Sequence, residues 1–475
     1  MNQTFRSLRV RNYRIYAIGS LISNVGTWMQ LTAQAWLVLV LTGSGVVLGI
    51  TVALQLLPTL LLSPLGGVLA DRFAKRTVLR VTQVAMAVPA GVLGLLAITG
   101  LVQSWHVFVL AVVFGIGRAL EAPARLSFVP EMVGRDDLGN AVALNSASFN
   151  AGRLIGPGVA GMLIALLGGG VGGTGWVILA NAISYGAAFA ALTVLDPDQL
   201  TPTAVTSTGR GAIREGIRYV RSRPDLVLVM WCGFFLGGFG MNFQITSALM
   251  ATDEFRKGAS EYGALGSVLA IGSLVGSLLA ARRASPRLCA IVLSGLAFAV
   301  VQIASGLMPT YYTYMAVLPL VGITLLTTAT TANAHIQLTS SPAMRGRVAA
   351  LYLMVFIGSV PFVAPAIGWI GEEFGARAAL VSTGAIAGLG IATTTVWYVR
   401  RTGRWADRVR RPPRTRRWNR ARRADHIVRS AGRGRIRLPQ RQRGHRARDP
   451  GTTETQRTVR WRWTWHDISP TDSGS

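Results

Sequence analysis

Between about residue 14 and residue 399 the chain alternates long apolar runs with brief polar breaks, and this rhythm predicts its elements. Most runs reach 18 or more residues, enough to cross about 30 Å of hydrocarbon as a helix. Backbone groups in lipid must be satisfied within their own segment, so the runs are read as helices rather than strands. Twelve spans are predicted, at about 14–40, 45–69, 78–100, 105–129, 140–167, 174–195, 225–251, 261–282, 287–307, 311–336, 347–371 and 376–399.

The polar breaks alternate in charge. Those after even-numbered spans are basic, carrying Arg72, Lys75, Arg76 and Arg80, then Arg125 and Arg135, then Arg210 to Arg223, then Arg282 to Arg287, then Arg345 and Arg347. Those after odd-numbered spans are short and nearly free of Lys and Arg, except Arg256, Lys257 and Arg377, each of which has acidic residues close by. Cytoplasmic loops retain positive charge, so both termini are expected in the cytoplasm of a cell-membrane protein.

The longest inner loop, 196–223, contains Pro197 and Pro202 and then five arginines. It divides the chain into a first six-helix bundle (1–195), this central loop, and a second six-helix bundle (224–399). Ala143-Leu144 to Gly156-Pro157-Gly158 in span five resembles Ala350-Leu351 to Ala364-Pro365-Ala366 in span eleven, at nearly equal spacing. A duplicated six-helix unit would place a substrate site near mid-membrane, between the halves.

Composition narrows the classes. The chain is 51% hydrophobic and only 14% charged, against about 25% charged in soluble proteins. Arg6 to Arg14 before an apolar run resemble a secretory leader, but the run continues through Trp36 to Leu41, past leader length, and is read as a retained first span. Cys232 and Cys289 sit in apolar runs without CxxC spacing, and His106 and His335 stand alone, so neither a metal nor another cofactor is expected. The only lysines are Lys75 and Lys257, and no G-x-x-x-x-G-K-[ST] occurs, which removes a P-loop engine. No hydrolytic triad is visible either, so the chain is read as a transporter and not an enzyme.

Residues 400–475 are different material, with 23 arginines, no lysine and six acidic residues. They read as a disordered basic cytoplasmic tail that lies on anionic lipid, or as out-of-frame translation of a GC-rich gene; nucleic-acid binding is not expected.

Few ionisable residues lie deep in a span. Arg118 and Glu121 share one face of span four, and Arg153 is similarly deep in span five. Charges at such depth are costly and mark function. An Arg118–Glu121 pair would hold the carboxylate ionised in one state and release it to protonate in another. Pro157 removes a backbone hydrogen bond, and Gly156 and Gly161 remove bulk, so span five is expected to bend as a moving element. Asn24, Gln34, Asn145, Asn242, Gln244, Asn333 and His335 are candidate cavity-lining residues.

The charged knot between spans two and three, Gly67-Val68-Leu69-Ala70-Asp71-Arg72-Phe73-Ala74-Lys75-Arg76, resembles the loop 2–3 signature of the major facilitator superfamily. Ala74 departs from it, standing where the family usually has Gly. The resemblance covers about residues 8–400. It implies an all-α membrane fold of twelve helices in two pseudo-symmetric halves, with spans one, four, seven and ten around the substrate path. It also implies a conformational latch: Gly67 allows close helix approach, and Asp71 caps the start of span eleven near Gly346-Arg347-Val348. Arg125 is a charge partner, and Arg72, Lys75 and Arg76 complete the cluster. Arg118 matches the family's span-four arginine. Arg118-Ala119-Leu120-Glu121-Ala122-Pro123, Val129-Pro130-Glu131 and Arg153-Leu154-Ile155-Gly156-Pro157 resemble the exporter branch of enterobactin and macrolide-efflux pumps. Gly156-Pro157-Gly158-Val159-Ala160-Gly161 resembles the antiporter motif of span five. The implied function is proton-driven export of a drug-like or siderophore-like molecule by alternating access, with a monomer favoured. The alternatives are a dedicated siderophore exporter, or a sensor or scaffold that keeps the fold without transport.

Overall fold

The computed structural model describes residues 3–201, 212–282 and 287–403, without the side chains at 64, 67, 68, 70, 71, 135 and 212. The predictions for the Arg-rich tail beyond 403, for Arg210 and for Arg283 therefore lie outside the described residues. Among the described residues, twelve helices are long and apolar enough to cross a membrane. The first half holds α1 (Arg11–Thr42), α2 (Gly45–Arg72), α3 (Lys75–Ile98), α4 (Ser104–Met132), α5 (Arg135–Leu166) and α6 (Val171–Val194). A short helix from the central loop, α7 (Ala212–Arg221), precedes the second half.

That half opens with a broken span, α8 (Pro224–Gly240) and α9 (Phe243–Leu249), closed by a π turn at Met250–Glu254. It continues with α10 (Ala259–Ala281), α11 (Leu288–Gly306) and α12 (Tyr311–Thr339), then α13 (Arg345–Gly358), α14 (Val360–Phe374) and α15 (Ala376–Thr402). α13 and α14 form one span, interrupted at Ser359. Pro361 has no N–H to give to Ile357, so the helical ladder loses a rung there. α5 remains one continuous helix through Pro157, whereas its counterpart in the second half is broken at Ser359.

Each half packs mostly within itself. The halves meet along α5 against α10 and α2 against α14. Both seams run on small residues: a Cβ on Gly161 would strike the carbonyl of Ala259, and one on Gly368 the carbonyl of Gly45. Backbones can approach this closely only where no side chain intervenes.

The cores are arranged by end. One cluster mixes both halves, joining Ala33, Leu37 and Leu48 to Ile245, Leu249, Tyr262 and Ile367. It lies at the end of the bundle away from the chain termini. There Trp36 stacks on Tyr262 with centroids 5.9 Å apart, and its Nε1 donates to the Gly169 carbonyl at 3.0 Å. Toward the terminal end the core separates into two. One cluster contains residues of the second half and α7, such as Val220, Val229, Ile291 and Tyr352. The other contains only residues of the first half, such as Tyr13, Leu79, Phe128 and Ala141. The bundle is thus closed at one end and divided at the other.

Candidate transport pathway

α1, α3, α4, α5 and α6 enclose a polar cavity of about 60 Å³ inside the first half. A water needs roughly 10–15 Å³ of such space, whereas drug-sized ligands need cavities of about 300 Å³ or more. The cavity therefore suits a few waters and not a cargo molecule. Into it project Arg118, Glu121 and Arg125 from α4, Asn24 from α1 and Tyr185 from α6. The three α4 residues share an inward face because positions three and four apart align on a helix.

The structure pairs Glu121 with Arg125 at 3.4 Å. The expected Arg118–Glu121 ion pair is not the one formed. An i, i+4 separation brings Arg125 onto the carboxylate, while the Arg118 guanidinium lies 6.0 Å from the Phe114 ring centroid. Arg125 also donates to Asn24 Oδ1 at 3.1 Å, and Asn24 Nδ2 donates to Ser148 at 3.0 Å, so Asn24 fixes the pair from α1. Arg125 thus faces this cavity and Glu121, on the same helix.

Arg153 lies over the Trp28 ring at 5.8 Å. Trp28 in turn meets Phe149 edge to face at 5.8 Å. Gly156 sits against Trp28, where a Cβ would collide, and Gly158 N–H donates to Ser267 Oγ of the second half at 3.0 Å. The Gly156-Pro157-Gly161 segment is therefore the seam between α1, α5 and α10.

The remaining candidates scatter. Gln34 is buried in the joint core, with neither amide atom finding a protein partner among the described residues. Asn242 is buried and its amide donates to the Gly238 carbonyl, so it seals the break in span seven. Gln244 contributes a backbone carbonyl to Tyr262 at 3.3 Å. Asn145 is half-buried on α5, and Asn333 accepts from Gln337 at 3.0 Å on an exposed face. His335 is buried toward the terminal end of α12, with Nε2 3.6 Å from Asp225. Asp225 also receives a fork from Arg223 at 2.8 and 2.6 Å.

At the charged knot, the Gly67 and Asp71 side-chain positions lie outside the described residues. Arg72 is exposed at the end of α2. Lys75 pairs with Glu131 of α4 at 2.5 Å, both side chains largely buried. Arg76 donates to the carbonyls of Leu192 and Thr193 at 2.7 and 2.8 Å, satisfying the end of α6. Across the divide, Arg347 is ion-paired with Glu215 of α7, and a Cβ on Gly346 would meet open space.

Several participants carried no legible signal. Tyr16, Thr27, Trp28, Gln83 and Tyr185 reach the cavity, but in sequence they are single polar or aromatic residues in apolar runs. Gln83, an amide within span three, was the one available clue. Glu372, at the end of α14, accepts from Ser44 Oγ at 2.6 Å and Val46 N–H at 3.1 Å. It clasps the start of α2 across the two halves at the closed end.

Comparison with known proteins agrees with this architecture. A family model described as transmembrane secretion effector matches residues 2–424. The multidrug efflux pump Tap of Mycolicibacterium fortuitum is 29% identical over 370 residues, spanning 74% of this chain and 86% of its own. The enterobactin exporter EntS of Shigella boydii serotype 4 is 24% identical over 335 residues, spanning 68% of this chain and 74% of its own. Among solved structures, the nucleoside transporter NupG superposes with a TM-score of 0.64 at 14% identity, covering 82% of this chain and 99% of its own. At that identity the likeness concerns the fold alone.

Proposed function

Since the chain belongs to the transmembrane secretion effector family of major facilitator transporters, we propose that it exports a small molecule across the cytoplasmic membrane in exchange for protons. The observation that carries the proton half of this reading is the Arg118, Glu121 and Arg125 set in a cavity with room for water but not cargo. Glu121 is a carboxylate at membrane depth, 3.4 Å from the Arg125 guanidinium. Such a charge is tolerable only while paired. A shift of α1 against α4 that draws Asn24 and Arg125 away leaves Glu121 to take a proton, and the return shift expels it. The cargo moves between the halves, and the small cavity titrates inside one of them.

The divided end is the cytoplasmic end in this reading, because the basic loops lie there. In the opposite state that end closes, and Asp71 caps the start of α13 in place of open space at Gly346. An anion at a helix N-terminus contributes about 0.3–1 kcal/mol, and up to about 2 when partly buried. The cargo is a drug-like or siderophore-like molecule, as the names of Tap and EntS indicate for those relatives.

The test uses inside-out vesicles with a preformed proton gradient, to which macrolides, cationic dyes and catecholate siderophores are added in turn. At least one class should dissipate the gradient. Glu121→Gln should abolish that response while membrane insertion and cargo binding persist. A Glu121→Gln variant with wild-type proton movement would remove Glu121 from the coupling, and a full panel without response would remove proton exchange.

A further inference from the structure

The face that α5 turns to the bundle interior shows how far the divided end reaches. Ile155, Met162 and Leu166 are exposed and apolar, and at 3.6 residues per turn they fall on one stripe, the lipid face. Positions 142, 146, 149, 153 and 160 fall on the opposite side. Along that inner face exposure drops steadily: Val142 and Ser146 are exposed, Phe149 and Arg153 are half-buried, and Ala160 is fully buried. This gradient is the wall of a vestibule that opens at the terminal end and stops near Arg153. Beyond it begins the seam of α5 with α10.

Arg153 is unusual in that position. Among the described residues it has no carboxylate within ion-pair distance and no hydrogen-bond acceptor, and its recorded contact is the Trp28 face. The half-buried guanidinium is therefore unpaired among the described residues. The charge inventory of the surrounding half has the same sign: Arg118, Arg125 and Arg153 are set against Glu121 alone, and Glu121 is already occupied by Arg125. No residue of the second half offsets it at that depth, because the described charges of α8 to α15 lie near the two ends.

We propose that Arg153, laid over Trp28 at the closed end of this vestibule, receives an anionic group of the cargo, so that the cargo is an organic acid. A carboxylate or acidic phenol takes the guanidinium fork. The proposal rests on the transporter reading above, because it names the class of molecule that enters from the divided end. A cation is disfavoured there by the net positive charge, and a neutral isostere would leave the guanidinium unpaired.

Calorimetric titration of the full chain in detergent tests this without any gradient. The probes are matched pairs, salicylate with salicylamide and 2,3-dihydroxybenzoate with its amide, with ethidium as the cation. Each acid should bind about tenfold or more tightly than its amide, the scale of one charge-assisted hydrogen bond. Arg153→Gln should erase that preference. Arg153→Lys should keep it in weakened form, which preserves the test if the glutamine variant fails to fold. Equal binding of acid and amide, preferential binding of ethidium, no binding of either acid, or an undiminished preference in Arg153→Gln would each overturn the proposal. Loss of proton movement in vesicles with the acid preference intact would instead overturn proton exchange and leave this site standing.

Discussion

The two ends of the bundle are built from the same twelve helices and differ in how they are held. At the closed end both halves share one apolar core, glycine seams bring backbones together, and one carboxylate, Glu372, bridges the halves. At the divided end the two cores are separate and the described ion pairs stay on one side, as with Lys75–Glu131 in the first half. Arg347–Glu215 likewise links the second half only to α7. Close packing resists gradual deformation, so a joint of this kind is either made or broken. Contacts within a half survive either state, whereas contacts between halves must be undone in each cycle.

The contrast can be broken most severely at a glycine seam. Gly161→Leu drives a side chain into the Ala259 carbonyl and forces α5 from α10. Overpacking costs about 1–3 kcal/mol, and backbone obstruction belongs at the top of that range, so the closed end should be depopulated roughly a hundredfold. Distance measurements between labels on α5 and α10 should show the halves parted at that end, with export lost. An unchanged distance distribution would mean that the seam is not what holds it.

A second change should sharpen the contrast in the opposite direction. Gln34 is buried in the joint core, its amide without a protein partner among the described residues, and an unsatisfied buried polar group costs about 1–3 kcal/mol. Gln34→Leu should therefore stabilise the closed end, raise thermal stability in detergent and slow turnover roughly tenfold or more. Faster turnover would show that the amide helps to hold the closed state. The smallest effect is expected at the clasp. Glu372 is exposed, and screened contacts of this kind contribute at most about 1 kcal/mol. Glu372→Gln should raise the open fraction about two- to fivefold at low salt, and less in high salt. A salt-independent shift would assign the effect to shape rather than charge.

Much of the fold was legible in the chain. The count of twelve spans follows from local composition. The depth of Arg118, Glu121 and Arg153 could also be read from their distance along a helix. Partnership could not. Glu121 has arginines at both i−3 and i+4, and Asn24 of α1 anchors the Arg125 that takes it. His335 has the same depth whether it lines a cavity or, as here, meets Asp225 at the end of α12. Glu372 reads as an ordinary outer-loop charge until α2 is brought alongside it.

The sequence by itself determined that the chain crosses the membrane repeatedly, which loops share a side, and where costly charges lie. Those are matters of transfer free energy and helix length, decided segment by segment. The tertiary structure decided which end is closed, that the polar cavity lies inside one half, and that Arg153 lies over Trp28. Each depends on contacts between helices more than a hundred residues apart, such as Asn24 with Arg125 or Ser44 with Glu372. No local pattern encodes these contacts, because a small residue or a lone amide packs equally well against many partners until the fold selects one.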